Sequence, residues 1–194
     1  MTKKKFARVI SNIFVPPSGT LLLSLFLASQ FAVDSIQWHL IFWIGALFGF
    51  ILPIVVFAIL HKLGKVADVD ATVKEERLLP YLAGIVLAGI ASYLSSTFNL
   101  PMIVTAMWLS YALSTTFLVI INKFWKISAH AIGNFSPAAI LFYVYPLSLV
   151  LLMPLLIIIL WSRLELKKHT PAQLLAGSVY GFGFTILVIH LYLH

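Results

Sequence analysis

The sequence predicts an all-α fold, a polytopic membrane helix bundle of about seven transmembrane helices, in a single domain covering residues 1–194. Three observations carry that prediction. First, 61% of the residues are hydrophobic and only 10% are charged, with a mean hydropathy of +1.04, which leaves too little polar surface to wrap a water-soluble core of this size. Second, Lys and Arg are missing from residues 9–61, 78–122, 127–162 and 169–194, and the basic residues cluster between these gaps. Third, a crossing needs roughly 20 residues, and each gap long enough for two crossings breaks near its middle at polar or turn-forming residues.

The elements follow in order. The opening residues 1–32 combine a basic start, an apolar run and small residues near Ala28, as a secretory signal peptide would. The Pro16-Pro17 pair instead marks the start of a retained first membrane helix, and Pro17-Ser18-Gly19-Thr20 reads as its cap. The first gap is an out-and-back pair turning at Asp34-Ser35-Ile36-Gln37. The second is another pair, turning at Ser95-Ser96-Thr97-Phe98-Asn99-Leu100-Pro101. The third reverses at Tyr143-Val144-Tyr145-Pro146-Leu147-Ser148, where Pro and interfacial aromatics favour a turn, and the fourth gap is a single last pass. With seven passes, all 13 Lys and Arg fall on the N-terminal side. A six-helix alternative, with residues 137–161 as one long span, splits the basic residues between two faces and separates Arg163 from Ser128. The Lys3-Lys4-Lys5 start makes the charged side cytoplasmic, and the expected location is the inner membrane of a bacterium.

Composition also excludes several function classes. The formal net charge of +7 could suggest nucleic acid, but the Lys and Arg sit between long apolar runs rather than on one soluble face, so no nucleic-acid partner is expected. Without Cys there are no disulfides, thiolate metal ligands or Cys nucleophiles. Asp68, Asp70, Glu75 and Glu76 could hold a divalent ion for a membrane transferase, but no second acidic cluster accompanies them, and they read as a solvated loop. His39, His61, His190 and His194 show no ligand spacing, and no metal or cofactor is expected. Gly177 and Gly181, four residues apart, mark close helix packing.

The chemistry-bearing residues lie in three short polar connections on the charged side. Ser162-Arg163 is followed, after five residues, by His169; Ser128 and His130 stand in Lys-Ile-Ser-Ala-His-Ala; Lys74, Arg77 and Pro80 stand in Lys-Glu-Glu-Arg-Leu-Leu-Pro. A phosphoryl group needs donors and positive charge around its non-bridging oxygens. Arg77 and Arg163 can grip it bidentately, Lys74 acts as a point charge, and Ser128 contributes a hydroxyl.

In this order the three elements resemble the signatures of the type-2 phosphatidic acid phosphatase superfamily, which includes the vanadium haloperoxidases; the chain is most similar to its integral-membrane lipid phosphatase branch. The resemblance implies that His169 attacks phosphorus to form a phosphohistidine, and that His130 protonates the leaving oxygen and then activates water. The implied substrate is a membrane lipid phosphate or diphosphate, such as a phosphatidate, a phosphatidylglycerol phosphate or a polyprenyl diphosphate, held in the bilayer. The implied reaction uses no metal. Departures from the pattern are specific. Gln173 stands where the family carries the Asp that orients the nucleophilic imidazole, and it can accept a hydrogen bond but brings no charge. Ile127 and Ala129 replace a Pro and a Gly, the Lys74-to-Arg77 spacing is short, and Lys126 is placed to supply the missing cradle charge. A catalytically silent member that binds phospholipid or a protein partner is the alternative that Gln173 suggests.

Overall fold

The computed structural model describes residues 2–194, and every element in them is helical. An amphipathic helix α1 (Lys3–Ile13) bends by 51° into α2 (Pro16–Phe31). The helix α3 (Ser35–Lys62) follows, with a π-helical stretch at Gly45–Ile51. Beyond an irregular loop come α4 (Leu78–Thr97), α5 (Met102–Phe124), α6 (Ala129–Val144), α7 (Ser148–Glu165) and α8 (Pro171–Leu193).

The predicted breaks are the observed ones, and local chemistry explains each. Asp34 caps α3 by accepting from the Gln37 N–H at 2.7 Å. Asn99, with φ of 51°, turns the chain between α4 and α5 ahead of Pro101. Residues 145–147 separate α6 from α7, so residues 137–161 are not one span and the six-helix alternative does not hold there.

Span lengths differ from the even set of passes the sequence suggests. Among the described residues five helices are long and apolar enough to cross a membrane alone: α3, Glu75–Thr97 (α4 with its lead-in turn), α5, α7 and α8; the bent α1–α2 pair, taken as one span, makes a sixth. The 16-residue α6 is shorter than the roughly 20 needed. It packs against α2, α7 and α8, with Ala131, Ile132, Ala138, Ala139 and Ile140 buried, so protein rather than lipid surrounds much of it. The α6–α8 packing is tight because both facing residues are glycine. A Cβ on Gly177 would lie 2.9 Å from the Ser128 carbonyl oxygen, and one on Gly181 would lie 2.9 Å from the Ile132 Cα.

The main apolar core joins Leu23, Leu27 and Ala28 of α2, Ile41 and Ile44 of α3, Ile103, Val104, Met107 and Trp108 of α5, Ile140 and Ile189. A second cluster, at the charged end, has only Leu118, Ile127 and Ile132 at its centre. Pro17-Ser18-Gly19-Thr20 is the first turn of α2 and not a side-chain cap: the Ser18 hydroxyl donates to the Ile13 carbonyl at 2.6 Å, clasping α1 to α2.

Candidate active site at the charged end of the bundle

Ser128, at the start of α6, is buried and accepts from the Ala131 N–H at 3.3 Å, while its own N–H donates to the Gln173 carbonyl at 3.3 Å. Its hydroxyl is thus the N-cap of α6, and the α8 contact fixes where that helix begins. Within the first turn, His130 is 8% exposed, and its Nε2 lies 3.2 Å from the Ser11 carbonyl oxygen of α1. A carbonyl can only accept, so Nε2 carries the hydrogen and Nδ1 is left as the basic nitrogen. Asn134 donates to the His130 carbonyl at 2.8 Å and to the Phe14 carbonyl at 3.1 Å, locking α6 to the α1–α2 junction.

His169, also 8% exposed, sits in the connection between α7 and α8. Gln173 completes a capping box with Thr170: its Oε1 accepts from the Thr170 N–H at 3.1 Å, and its N–H donates to Thr170 Oγ1 at 3.3 Å. That pairing fixes which end of the amide faces His169. The Nδ1 at 3.3 Å from Oε1 must therefore donate, and Nε2 keeps the lone pair a nucleophile needs. Burial pushes the imidazole down to about 3, aided by the charges of Arg77, Arg163 and Lys126 and opposed by the Gln173 hydrogen bond. His169 is neutral at pH 7.

The cationic residues are close together, and each has a protein partner. Arg77, 3% exposed, donates to the carbonyls of Ala71 at 2.8 Å and Ile127 at 3.0 Å. Lys126 donates to the carbonyls of Thr72 at 2.8 Å and Lys168 at 3.4 Å, and burial with the charges of Arg77, Lys168 and Arg163 lowers its ammonium below the usual lysine range. Lys74 donates to the Lys123 carbonyl at 2.9 Å. Arg163, 1% exposed, donates to Ser11 Oγ and, at 2.7 Å, to Asp70 Oδ1.

Asp70 corrects the solvated-loop reading of the acidic residues. Its side chain is 5% exposed, and its second oxygen lies 2.8 Å from Arg8 and 3.1 Å from Lys168. Burial raises its carboxyl, but donation from Arg8 and the charge of Arg163 win and hold it well below the ordinary carboxylate range. Asp68 and Glu75 do remain at the surface, with side chains 41% and 69% exposed. Residues that sequence reasoning passed over, namely Arg8 and Ser11 of α1, Asp70 and Lys168, are thus central here. The amphipathic spacing of Phe6, Val9 and Ile13 against Ala7 and Ser11 could have announced α1 as a surface helix.

A cavity of about 630 Å³ opens beside these groups. Asp70, Arg77, His130 and His169 line it, and it continues along Phe48 and Phe57 of α3, Tyr81 and Ala88 of α4, and Trp108 of α5. Lys74, Lys126, Ser128, Arg163 and Gln173 do not line it. Neither a family model, nor a curated protein, nor a solved structure matches this chain.

Proposed function

We propose that the chain is a metal-independent membrane phosphatase that hydrolyses a lipid phosphate or diphosphate through a phosphohistidine. One observation carries the reading: two buried histidines with complementary tautomers, one in the first turn of α6 and one in the connection between α7 and α8, line one cavity whose charged end leads into an apolar interior. The likeness of Ser162-Arg163 to His169, and of Ser128 to His130, to the superfamily signatures supports it.

In this mechanism His169 Nε2 attacks phosphorus, forming the N–P bond as the P–O bond to the lipid breaks. His130 takes up a proton on Nδ1 when the phosphate dianion binds beside it, keeps Nε2 on the Ser11 carbonyl, and gives that proton to the leaving oxygen. A water then attacks phosphorus, His130 Nδ1 takes its proton, and the N–P bond breaks to release phosphate. Arg77, Arg163 and Lys126 supply the surrounding positive charge, Lys74 is taken up by the Lys123 carbonyl and stays outside the cradle, Ser128 fixes the start of α6, and Gln173 orients His169. The apolar walls hold the tail in the bilayer, so selection among chains is broad and selection among headgroups is sharper. By the positive-inside rule the site faces the cytoplasm.

A second reading is a silent member that binds phospholipid or a protein partner; the neutral Gln173 and the protein acceptor already held by each cation favour it. Phosphate release from phosphatidate and polyprenyl diphosphate in detergent, with and without chelator, separates the two. Chelator-resistant release, lost by at least about a thousandfold in His169→Ala, is the expected result. No release from either lipid favours the silent member, and normal turnover in His169→Ala rules out the phosphohistidine.

A further inference from the structure

The Asp70 carboxylate occupies an unusual place. Its Oδ1 receives the Arg163 guanidinium at 2.7 Å, and its Oδ2 receives Arg8 at 2.8 Å and Lys168 at 3.1 Å, while Ser11 Oγ meets the same Arg163 nitrogen. Two anionic oxygens held by three cations and flanked by a hydroxyl reproduce what the non-bridging oxygens of a phosphate require. We infer that this position is a phosphate seat, built by Arg8, Ser11, Arg163 and Lys168, which Asp70 fills until a substrate phosphate displaces it. The inference rests on the phosphatase reading and adds to it three residues, Arg8, Ser11 and Lys168, that the sequence signatures do not include.

Four features separate the seat from a plain structural ion pair. The charges do not balance: Arg8, Arg77, Lys126, Arg163 and Lys168 gather near one buried carboxylate, with the more exposed Asp68 at 3.9 Å from Lys168, so a phosphate dianion matches the cluster better than Asp70 does. Arg163 is not saturated, because its Nε has no hydrogen-bond partner although the side chain is 1% exposed. Asp70 lines the same cavity as His130 and His169, so an anion arriving there meets it directly. Finally, the donors come from α1, the end of α7 and the turn before α8, whereas Asp70 rides on the irregular loop of residues 63–74. Its neighbour Ala71 holds φ of 44°, a conformation strained for a residue with a Cβ.

A ligand that must displace an internal competitor binds with its affinity reduced by the fraction of time the seat is open. Asp70→Asn keeps the shape and removes the competing charge. Calorimetric titration of inorganic phosphate into the purified full chain should show Asp70→Asn binding about tenfold tighter than the unmodified protein. Arg8→Gln and Lys168→Gln should each bind more weakly, and they keep the test decisive if Asp70→Asn does not fold. The same rank order with a short-chain phosphatidate assigns the seat to the lipid headgroup, and a gain confined to inorganic phosphate assigns it to the product. Phosphate binding that is unchanged or weaker in folded Asp70→Asn, or unchanged in both Gln variants, overturns the seat while lipid hydrolysis by the unmodified protein leaves the phosphatase reading standing. Absence of both phosphate binding and hydrolysis overturns the two together.

Discussion

The two ends of this bundle are held together by different physics. At the end where α2 turns into α3 and α4 into α5, Leu23, Leu27, Ile41, Ile103 and Ile140 form a continuous apolar core, and the polar contacts around it, such as Tyr145 to Gln30 at 3.2 Å and Tyr143 to His194 at 3.1 Å, are exposed. At the charged end the apolar centre shrinks to Leu118, Ile127 and Ile132 beside a cavity, and loops are stitched by cations donating to backbone carbonyls. Among the described residues every ion pair is at that second end. Buried polar networks have fixed geometry and a high cost when one member is lost. Apolar packing tolerates change through partial collapse but supplies more of the stability. The molecule thus separates its apolar anchor from its charged cavity, and the difference can be probed from each side.

The largest expected effect on stability is at the apolar end. Leu27 is fully buried, and Leu27→Ala should lower the unfolding free energy in detergent by about 2 kcal/mol or more through lost contacts and the cavity left behind. Phosphate release per folded molecule should stay at the unmodified level; a loss of turnover larger than the loss of folded protein would show that the two ends are coupled.

A smaller and opposite effect is expected from Gln173→Glu. Glutamate preserves the capping box with Thr170 and places a negative charge against His169 Nδ1. The imidazole, now held down at about 3, should titrate at least about one unit higher, as followed by NMR of the ring, with little change in melting temperature. The sign of the pH dependence follows from the same shift. The fold lowers this histidine below its ordinary 6.5, so its neutral form is favoured, and the stability this contributes is complete above 6.5 and is lost as pH falls toward 3. Gln173→Glu should narrow that window from its acid side.

Much of the fold was legible because charge is costly in hydrocarbon: the gaps between Lys and Arg mark the apolar helices, and Asp34, Asn99 and Pro146 announce the turns between them. The short span of α6 was not legible, because sequence hydrophobicity does not distinguish a helix facing lipid from one facing other helices. The site was readable only in part. His130 and His169 stand out by their spacing from Ser128 and Arg163, but the partner each ring nitrogen chooses depends on contacts 119 residues apart, Ser11 with His130, or on a cap four residues away, Gln173 with His169. Asp70 looked like one more surface carboxylate because its partners, Arg8, Arg163 and Lys168, are brought to it only by the meeting of α1 and α7.

The most direct test is of the bond that the two tautomers prepare. The purified protein is mixed with a phosphatidate, quenched under alkaline conditions that preserve phosphoramidates, and digested for mass spectrometry. The account predicts one phosphoryl group on the peptide carrying His169, absent from His169→Ala. A phosphoryl group on another residue, or lipid turnover with His169 unmodified throughout, would contradict it.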